Sequence, residues 1–379
     1  MRALAAPTLG VISLYSGDHS RKICSEELSY FKKLVLQGHA LGLNVIVFTP
    51  QDVDDAGRRV YAFLYQQSTG RWIRSWQPLP PLIYDRCRFQ ASRRFQQFKR
   101  FREKYASQLT FLNRPLANKW TINGVLARNS SIRPHLPQTT RYTPLALQKM
   151  IRSTSLVYVK PINGTGGRGI LRLEKLDNGQ IVVQGRNRQR RIIPEQRLER
   201  AKLPTRLAAL GVGGDYLVQQ GIRLRLPNGR VHDFRLLIQK NGQGQWEITG
   251  CAGRIGPPSS ITSNLHGGGQ AISMDALLRR RFSSEAKVDS IRQAMYQLSR
   301  NIAAYLEEQY GKLCELGLDI AVDPGGHPWL LEINPKPARE VFTRIKEHQT
   351  YRNAIRRPLE YALWLHRQGR QPEQSAAAQ

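Results

Sequence analysis

Two acids and an amide near the C-terminal end are the residues best suited to chemistry. Between Gly317 and Asn334 the segment Pro324-Gly325-Gly326-His327 reads as a turn joining two alternating strands. With Asp323 opposite Pro328, Asp319 falls directly opposite Glu332. Period-2 alternation then gathers Leu318, Ile320, Val322, Trp329, Leu331 and Ile333 on one apolar face and Asp319, Glu332 and Asn334 on the other. Directly opposed residues have Cβ atoms ~4.5–5.5 Å apart, and like charges there destabilise a sheet. A hard divalent cation, Mg²⁺ or Mn²⁺, resolves that repulsion, with phosphate oxygens completing its octahedron. A solvated outer face with a chance acid pair is the plain alternative, and residues upstream decide between the two.

Those residues form a phosphate-binding pattern. An apolar strand, Leu156 to Lys160, ends in a lysine and runs into a loop holding Gly164, Thr165, Gly166, Gly167, Arg168 and Gly169. The glycines fit GxGxxG, but Ile170 to Leu173 continues as a strand, whereas a dinucleotide-binding fold requires a helix there. A GxxxxGK[ST] loop is also missing. A glycine-rich flap between two strands can lower backbone N–H groups onto a polyphosphate, although a plain surface hairpin has the same pattern. Asp233-Phe234-Arg235 leads through a turn to a strand ending at Arg254, and the loop Ser263 to Gly269 contains Asn264, Gly267 and Gly268. Arg235 and Arg254 carry charge suited to a phosphoryl group, with ordinary surface ion pairing as the bland reading.

The elements that position these residues follow from apolar patterning. Residues 1–110 alternate strand and helix: strands at Leu9–Tyr15, Asn44–Thr49 and Leu82–Tyr84, a helix from Glu26 to Leu41, a hairpin of Val60–Gln66 with Trp72–Trp76, and a basic, solvated helix from Arg93 to Lys104. Short strands and Gly-rich turns then dominate until a helix over Asp289 to Leu306, marked by Ile291, Met295, Leu298, Ile302 and Tyr305. The resulting division is 1–110, 111–215, 216–367 and a disordered tail over 368–379.

Composition narrows the class. The 379 residues are 40% hydrophobic, enough for real cores, and 58 Lys+Arg against 28 Asp+Glu give a net charge of +30. That excess calls for anionic partners. The sequence has no uninterrupted apolar run of membrane-spanning length, so membrane insertion is not expected. Cys24, Cys87, Cys251 and Cys314 are scattered without metal spacing, which points to a reducing, cytoplasmic setting.

Taken together these segments resemble the ATP-grasp superfamily, most closely the YheC/YheD-type proteins associated with bacterial endospore coats. The resemblance runs from about Asn113 to Phe342. It is carried by Asn118-Lys119, Val159-Lys160-Pro161 with the glycine loop, Asp233-Phe234-Arg235, the loop from Ser263 to Gly268, and Gly317-Leu318-Asp319 followed by Trp329 to Pro335. It implies mixed α/β and α+β architecture: a small pre-ATP-grasp α/β domain followed by a two-subdomain ATP-grasp fold. By the same resemblance Lys119 and Lys160 contact ATP phosphates together with the glycine flap. The backbone of Gln219, Gln220, Gly221 and Ile222 reads the adenine edge, and Asp233 takes the ribose. Asn264, Gly267 and Gly268 line the phosphate or substrate side, and Asp319, Glu332 and Asn334 bind two Mg²⁺ ions, Glu332 bridging. One departure is Gly317, where many amide-forming relatives place an arginine; its work falls to Arg235 or Arg254.

The implied activity is ATP-dependent joining of a carboxylate to an amine or thiol through an acyl phosphate, with ADP and phosphate released. The substrate is a small molecule or an acidic peptide or polymer linked to the spore coat. The competing reading is a non-catalytic ATP-binding or polyanion-binding coat protein, using basic stretches such as Arg186–Arg200 and Arg279–Arg281. A homodimer is compatible with either.

Overall fold

Short runs of Val, Ile and Leu, buried along almost their whole length, start the first sheet. The computed structural model describes residues 6–16, 22–23, 25–87, 92–164, 166–265 and 268–369. Strand β1 (Thr8–Ile12) leads into helix α1 (Ser25–Ala40) and β2 (Asn44–Phe48), which returns parallel to β1. Strands β3 (Val53–Asp54), β4 (Arg59–Gln66), β5 (Arg71–Pro78), β6 (Leu82–Asp85) and β7 (Thr110–Phe111) complete a seven-stranded sheet of order β3-β4-β2-β1-β6-β7, with β5 paired to β4. Both faces are covered, as parallel strands require. Helix α2 (Arg93–Lys104) differs from the solvated helix its charge predicts. Phe95, Phe98 and Phe101 recur at helical spacing and are buried against the sheet together with Arg94, so most of the other arginines and the lysines face outward.

The second sheet has order β12-β11-β10-β9-β13-β8. It follows helix α3 (Lys119–Leu126) and consists of β8 (Thr139–Arg141), β9 (Leu156–Pro161), β10 (Leu171–Lys175), β11 (Ile181–Arg186), β12 (Ile192–Leu198) and β13 (Tyr216–Gln220), with helices α4 (Pro144–Ser153) and α5 (Leu203–Ala209) between them. Strand β13 lies between β9 and β8, so it belongs to this sheet although it follows the sequence division at 215. The third sheet, β16-β15-β14-β17-β18, contains β14 (His232–Lys240), β15 (Trp246–Ile255), β16 (Gln270–Ser273), β17 (Glu315–Val322) and β18 (Pro328–Asn334). Helices α6 (Met274–Arg279) and α7 (Glu285–Tyr310) cover one face. Val288, Ile291, Met295, Leu298 and Ile302 of α7 pack with Leu316, Leu318 and Ile320 of β17. The chain continues through α8 (Glu340–Arg344) into α9 (His348–Gln368), whose Ile355, Leu359 and Ala362 return to the core of the first sheet beside Phe31 and Leu34. Residue Cys24 and the tail beyond Gly369 lie outside the described residues. Among the described residues no helix is long and apolar enough to cross a membrane.

Register in the β17–β18 hairpin departs from strict alternation. Val322 pairs with Pro328 and Ile320 with Leu330, whereas Asp319 pairs with Glu332, so a bulge at Leu331 absorbs one residue. The facing acids are as expected, but Trp329 and Leu331 leave the apolar face. They join Ala321, Ile222, Leu224 and Val231 on the side of the acids, while Leu330 and Ile333 stay with the α7 core.

A buried charge network fastens the first sheet to the third. The Glu315 carboxylate accepts from Tyr84 (2.6 Å), Arg86 (2.6 Å), Gln239 (3.1 Å) and Arg339, while Arg339 also donates to Ala354 O at 2.8 Å. All three charged groups are buried. Removing the one carboxylate that serves two buried guanidiniums leaves uncompensated charge, so Glu315→Ala is expected to cost ~3–5 kcal/mol in denaturant unfolding. A loss below ~1 kcal/mol would show that water enters the junction freely.

Candidate active site

The loops at the ends of all three sheets enclose a cleft of about 1050 Å³. Its phosphate-side wall begins with helix α3, whose first turn is fixed by Asn118: the side-chain oxygen accepts from Thr121 N at 3.0 Å. That cap sets Lys119, whose ammonium donates to Gly164 O at 2.9 Å and lies 3.3 Å from Glu332 Oε1. Lys160, near the end of β9, donates to Gln219 Oε1 at 2.7 Å, and Gln219 in turn donates to Thr139 Oγ1 at 2.8 Å. No carboxylate is paired with Lys160 among the described residues. Burial, then the neighbouring Lys119, bring its pKa down to about 8 against a smaller opposing pull from Glu332.

Gly164, Gly166, Gly167 and Arg168 of the flap also line the cleft. Gly166 and Gly167 have φ of +67° and +77°, and a Cβ would come within 2.7 Å of the Arg190 guanidinium at the first and 2.8 Å of the Asn264 amide at the second. Arg190 sits in the arginine-rich stretch read as a general basic surface; nothing in its spacing marked it as a neighbour of the flap. Gly169 turns toward Pro161 and Tyr216 and does not line the cleft; nor do Gly221, packed on Leu156, and Gly268. Thr165 and Gly267 lie outside the described residues.

The acid side is more tightly tied than the sequence implied. Arg235 grips Asp319 through Nε (2.6 Å) and Nη2 (3.2 Å), and Arg254 Nη2 reaches the same carboxylate at 3.0 Å. Arg254 also makes a bidentate pair with Asp233, at 2.7 and 2.5 Å. Burial pushes the Asp319 carboxyl up, but the two guanidiniums more than reverse this and hold it below the usual range. Both oxygens of Asp233 are thus engaged by Arg254, which anchors that arginine, and Asp233 itself lines the cleft where the ribose acceptor is expected. The strand expected to read adenine is likewise committed: Gln219 and Gln220 lie within β13 between two strands, Gln220 N donates to Gln138 O and Gly221 N to Leu156 O. Ile222 is the first amide of that segment without a backbone partner among the described residues, and with Gln219 and Gln220 it lines the cleft.

Asp319, Glu332 and Asn334 all open to the cleft, with the Asn334 amide nitrogen buried and unpartnered. Two carboxylates and an amide oxygen are the donor set of a hard divalent ion. Among the described residues no three His, Cys, Asp or Glu side chains cluster to hold a metal unaided. A magnesium ion held by one or two carboxylates ordinarily completes its shell with waters and phosphate oxygens. Gly317 follows from packing: a Cβ there would lie 2.7 Å from Pro337, so no arginine fits.

Three sheets around one cleft, with a glycine flap over a strand lysine, define an ATP-grasp fold. D-cycloserine synthetase DcsG shares it at a TM-score of 0.54 and 14% identity, covering 95% of this chain and 99% of that one. The D-alanine-D-alanine ligase from Coxiella burnetii matches at a TM-score of 0.52 and 12% identity over 98% of this chain and 100% of that one. Within that class the chain belongs to the YheC/D like ATP-grasp family, whose model matches residues 108–365. The endospore coat-associated protein YheC of Bacillus subtilis (strain 168) is 29% identical over 348 residues, 90% of this chain and 92% of that protein. YheD of the same organism is 27% identical over 342 residues, 89% of this chain and 74% of that protein.

The depressed Lys160 pKa gives a pH-dependent readout. Near pH 8 the free site holds a partly neutral lysine, and an anion that binds beside it restores the charge by proton uptake. Calorimetry of pyrophosphate or AMPPNP in buffers of different ionisation enthalpy is expected to show that uptake at pH 8–8.5 and much less at pH 6.5. Lys160→Met should abolish it. Uptake unchanged in that variant would remove Lys160 from the anion site.

Proposed function

We propose that the chain is an ATP- and Mg²⁺-dependent ligase that joins a carboxylate to an amine or a thiol by way of an acyl phosphate. The observation that carries the reading is the division of charge in one cleft: Lys119 and Lys160 on one wall, Asp319, Glu332 and Asn334 on a neighbouring ribbon. Lys160 is oriented by an amide and not neutralised by an acid, which suits it to a phosphate oxygen. Lys119 links the flap to the acid ribbon and can pass from Glu332 to phosphate as the nucleotide enters. Amides of the flap add neutral donors, and flap closure excludes the water that would hydrolyse an acyl phosphate.

Asp319, Glu332 and Asn334 would hold magnesium, which when bound offsets phosphate charge and polarises the transferring phosphoryl group. Arg235 and Arg254, oriented by Asp319 and Asp233, supply fixed positive charge for the oxyanion formed when the amine or thiol attacks. The names of YheC and YheD support an association with the endospore coat. A second reading is favoured by the double grip on Asp319: a nucleotide- or polyanion-binding coat protein without turnover.

Mass spectrometry of the chain incubated with MgATP, amino acids and acidic peptides separates them. Ligation is expected to yield ADP, phosphate and a condensed product. Glu332→Gln is expected to lower turnover by about a hundredfold or more, the scale of losing one charge-stabilising group. A phosphorylated product would indicate kinase-like transfer. Nucleotide binding with no product would establish the second reading, and full activity in the variant would remove the metal assignment.

A further inference from the structure

The cleft is not exhausted by the residues described so far. It continues as an arm over the C-terminal edge of the first sheet, where Tyr30, Lys33, Arg86, Arg339 and Arg344 line it. Four of these five are cations, and the carboxylates lining the same arm are Glu27 and Glu340. Glu340 already accepts from the backbone of Arg339, and Glu27 from Ser13.

The two buried arginines have different occupations. Arg339 spends its guanidinium on Glu315, Tyr84, Ala354 O and Pro337 O. Arg86 donates one side-chain bond, to Glu315 Oε1, and its Nε and Nη2 have no protein partner among the described residues. Arg86 is only 5% exposed, and it is one of the residues that line the arm. A buried guanidinium with an unspent edge is costly unless something accepts from it. Its ring neighbour Tyr30, with the cation 5.2 Å from the centroid, fixes its plane. At the rim Arg344 is exposed and has no ion-pair partner among the described residues, and Lys33 is held by the Tyr351 hydroxyl at 2.6 Å.

We propose that this arm binds the organic substrate and reads a carboxylate on it, with the free edge of Arg86 as the bidentate anchor and Arg344 and Lys33 as rim charges. The substrate is an acidic amino acid or acidic peptide. The inference rests on the ligase reading only for what happens to the substrate; recognition of the acid stands on the arm itself.

Calorimetry of the full chain tests it, with triglutamate and triglutamine as probes in the presence of Mg²⁺ and AMPPNP. Triglutamate is expected to bind at least about tenfold more tightly than triglutamine, the scale of one charge-assisted pair. Arg86→Gln and Arg344→Glu should each weaken triglutamate by about tenfold or more while AMPPNP binding is unchanged. Arg344 is exposed, so its variant folds even where Arg86→Gln does not, and AMPPNP binding reports that the protein is intact. Equal affinity for the two peptides, no triglutamate binding, or wild-type affinity in Arg344→Glu would overturn the proposal. Triglutamate binding that depends on Arg344 without any AMPPNP binding would uphold the arm and remove the nucleotide reading.

Discussion

The Asp319 carboxylate is shared by two guanidiniums, and that sharing orders the rest of the cleft. Arg235 and Arg254 come from adjacent strands of one sheet, and Asp233 holds the second from behind. The result is a nearly neutral, rigid cluster of two acids and two bases. Across the cleft Lys119 and Lys160 have, among the described residues, only Glu332 between them. The imbalance therefore lies on the flap side, where burial makes a lone ammonium costly and a polyanionic ligand welcome. A site built this way is incomplete until a negatively charged molecule fills it.

Rigidity for that arrangement comes from backbone pairing and from the junction around Glu315. The bulge at Leu331 brings Glu332 opposite Asp319 and turns two apolar side chains toward the ligand side. Glu315 begins the same strand β17 that carries Asp319, and its bonds to Tyr84 and Arg86 fix that strand against the first sheet. One β-strand thus joins the acid ribbon to the arm of the cleft, so the two proposed substrate regions share a single support.

Much of this was legible in residue types and spacing, and the rest was not for physical reasons. The facing of Asp319 and Glu332 follows from the turn and pleat, although the alternation used to derive it starts from a register that the bulge replaces. The strand after the glycine loop correctly separates this flap from a dinucleotide fold. Helix α2 misled because its arginines outnumber the three phenylalanines that decide its burial. Asp233 meets Arg254 across the β14–β15 hairpin, whose register the turn residues leave open, whereas the pairing of β13 on both sides and the approach of Arg190 to Gly166 depend on contacts between separate strand pairs. Local pattern carries no trace of them. The Arg86–Glu315–Arg339 junction is of the same kind, with partners separated by 229 residues in one pair and 24 in the other.

The most direct measurement is a crystal structure with AMPPNP and Mn²⁺, read through the anomalous signal of the metal. Peaks among Asp319, Glu332 and Asn334, with the triphosphate running to Lys119 and Lys160, are the expected result. Manganese bound elsewhere, or a nucleotide whose phosphates turn away from the two lysines, would contradict the division of charge on which the function proposed here depends.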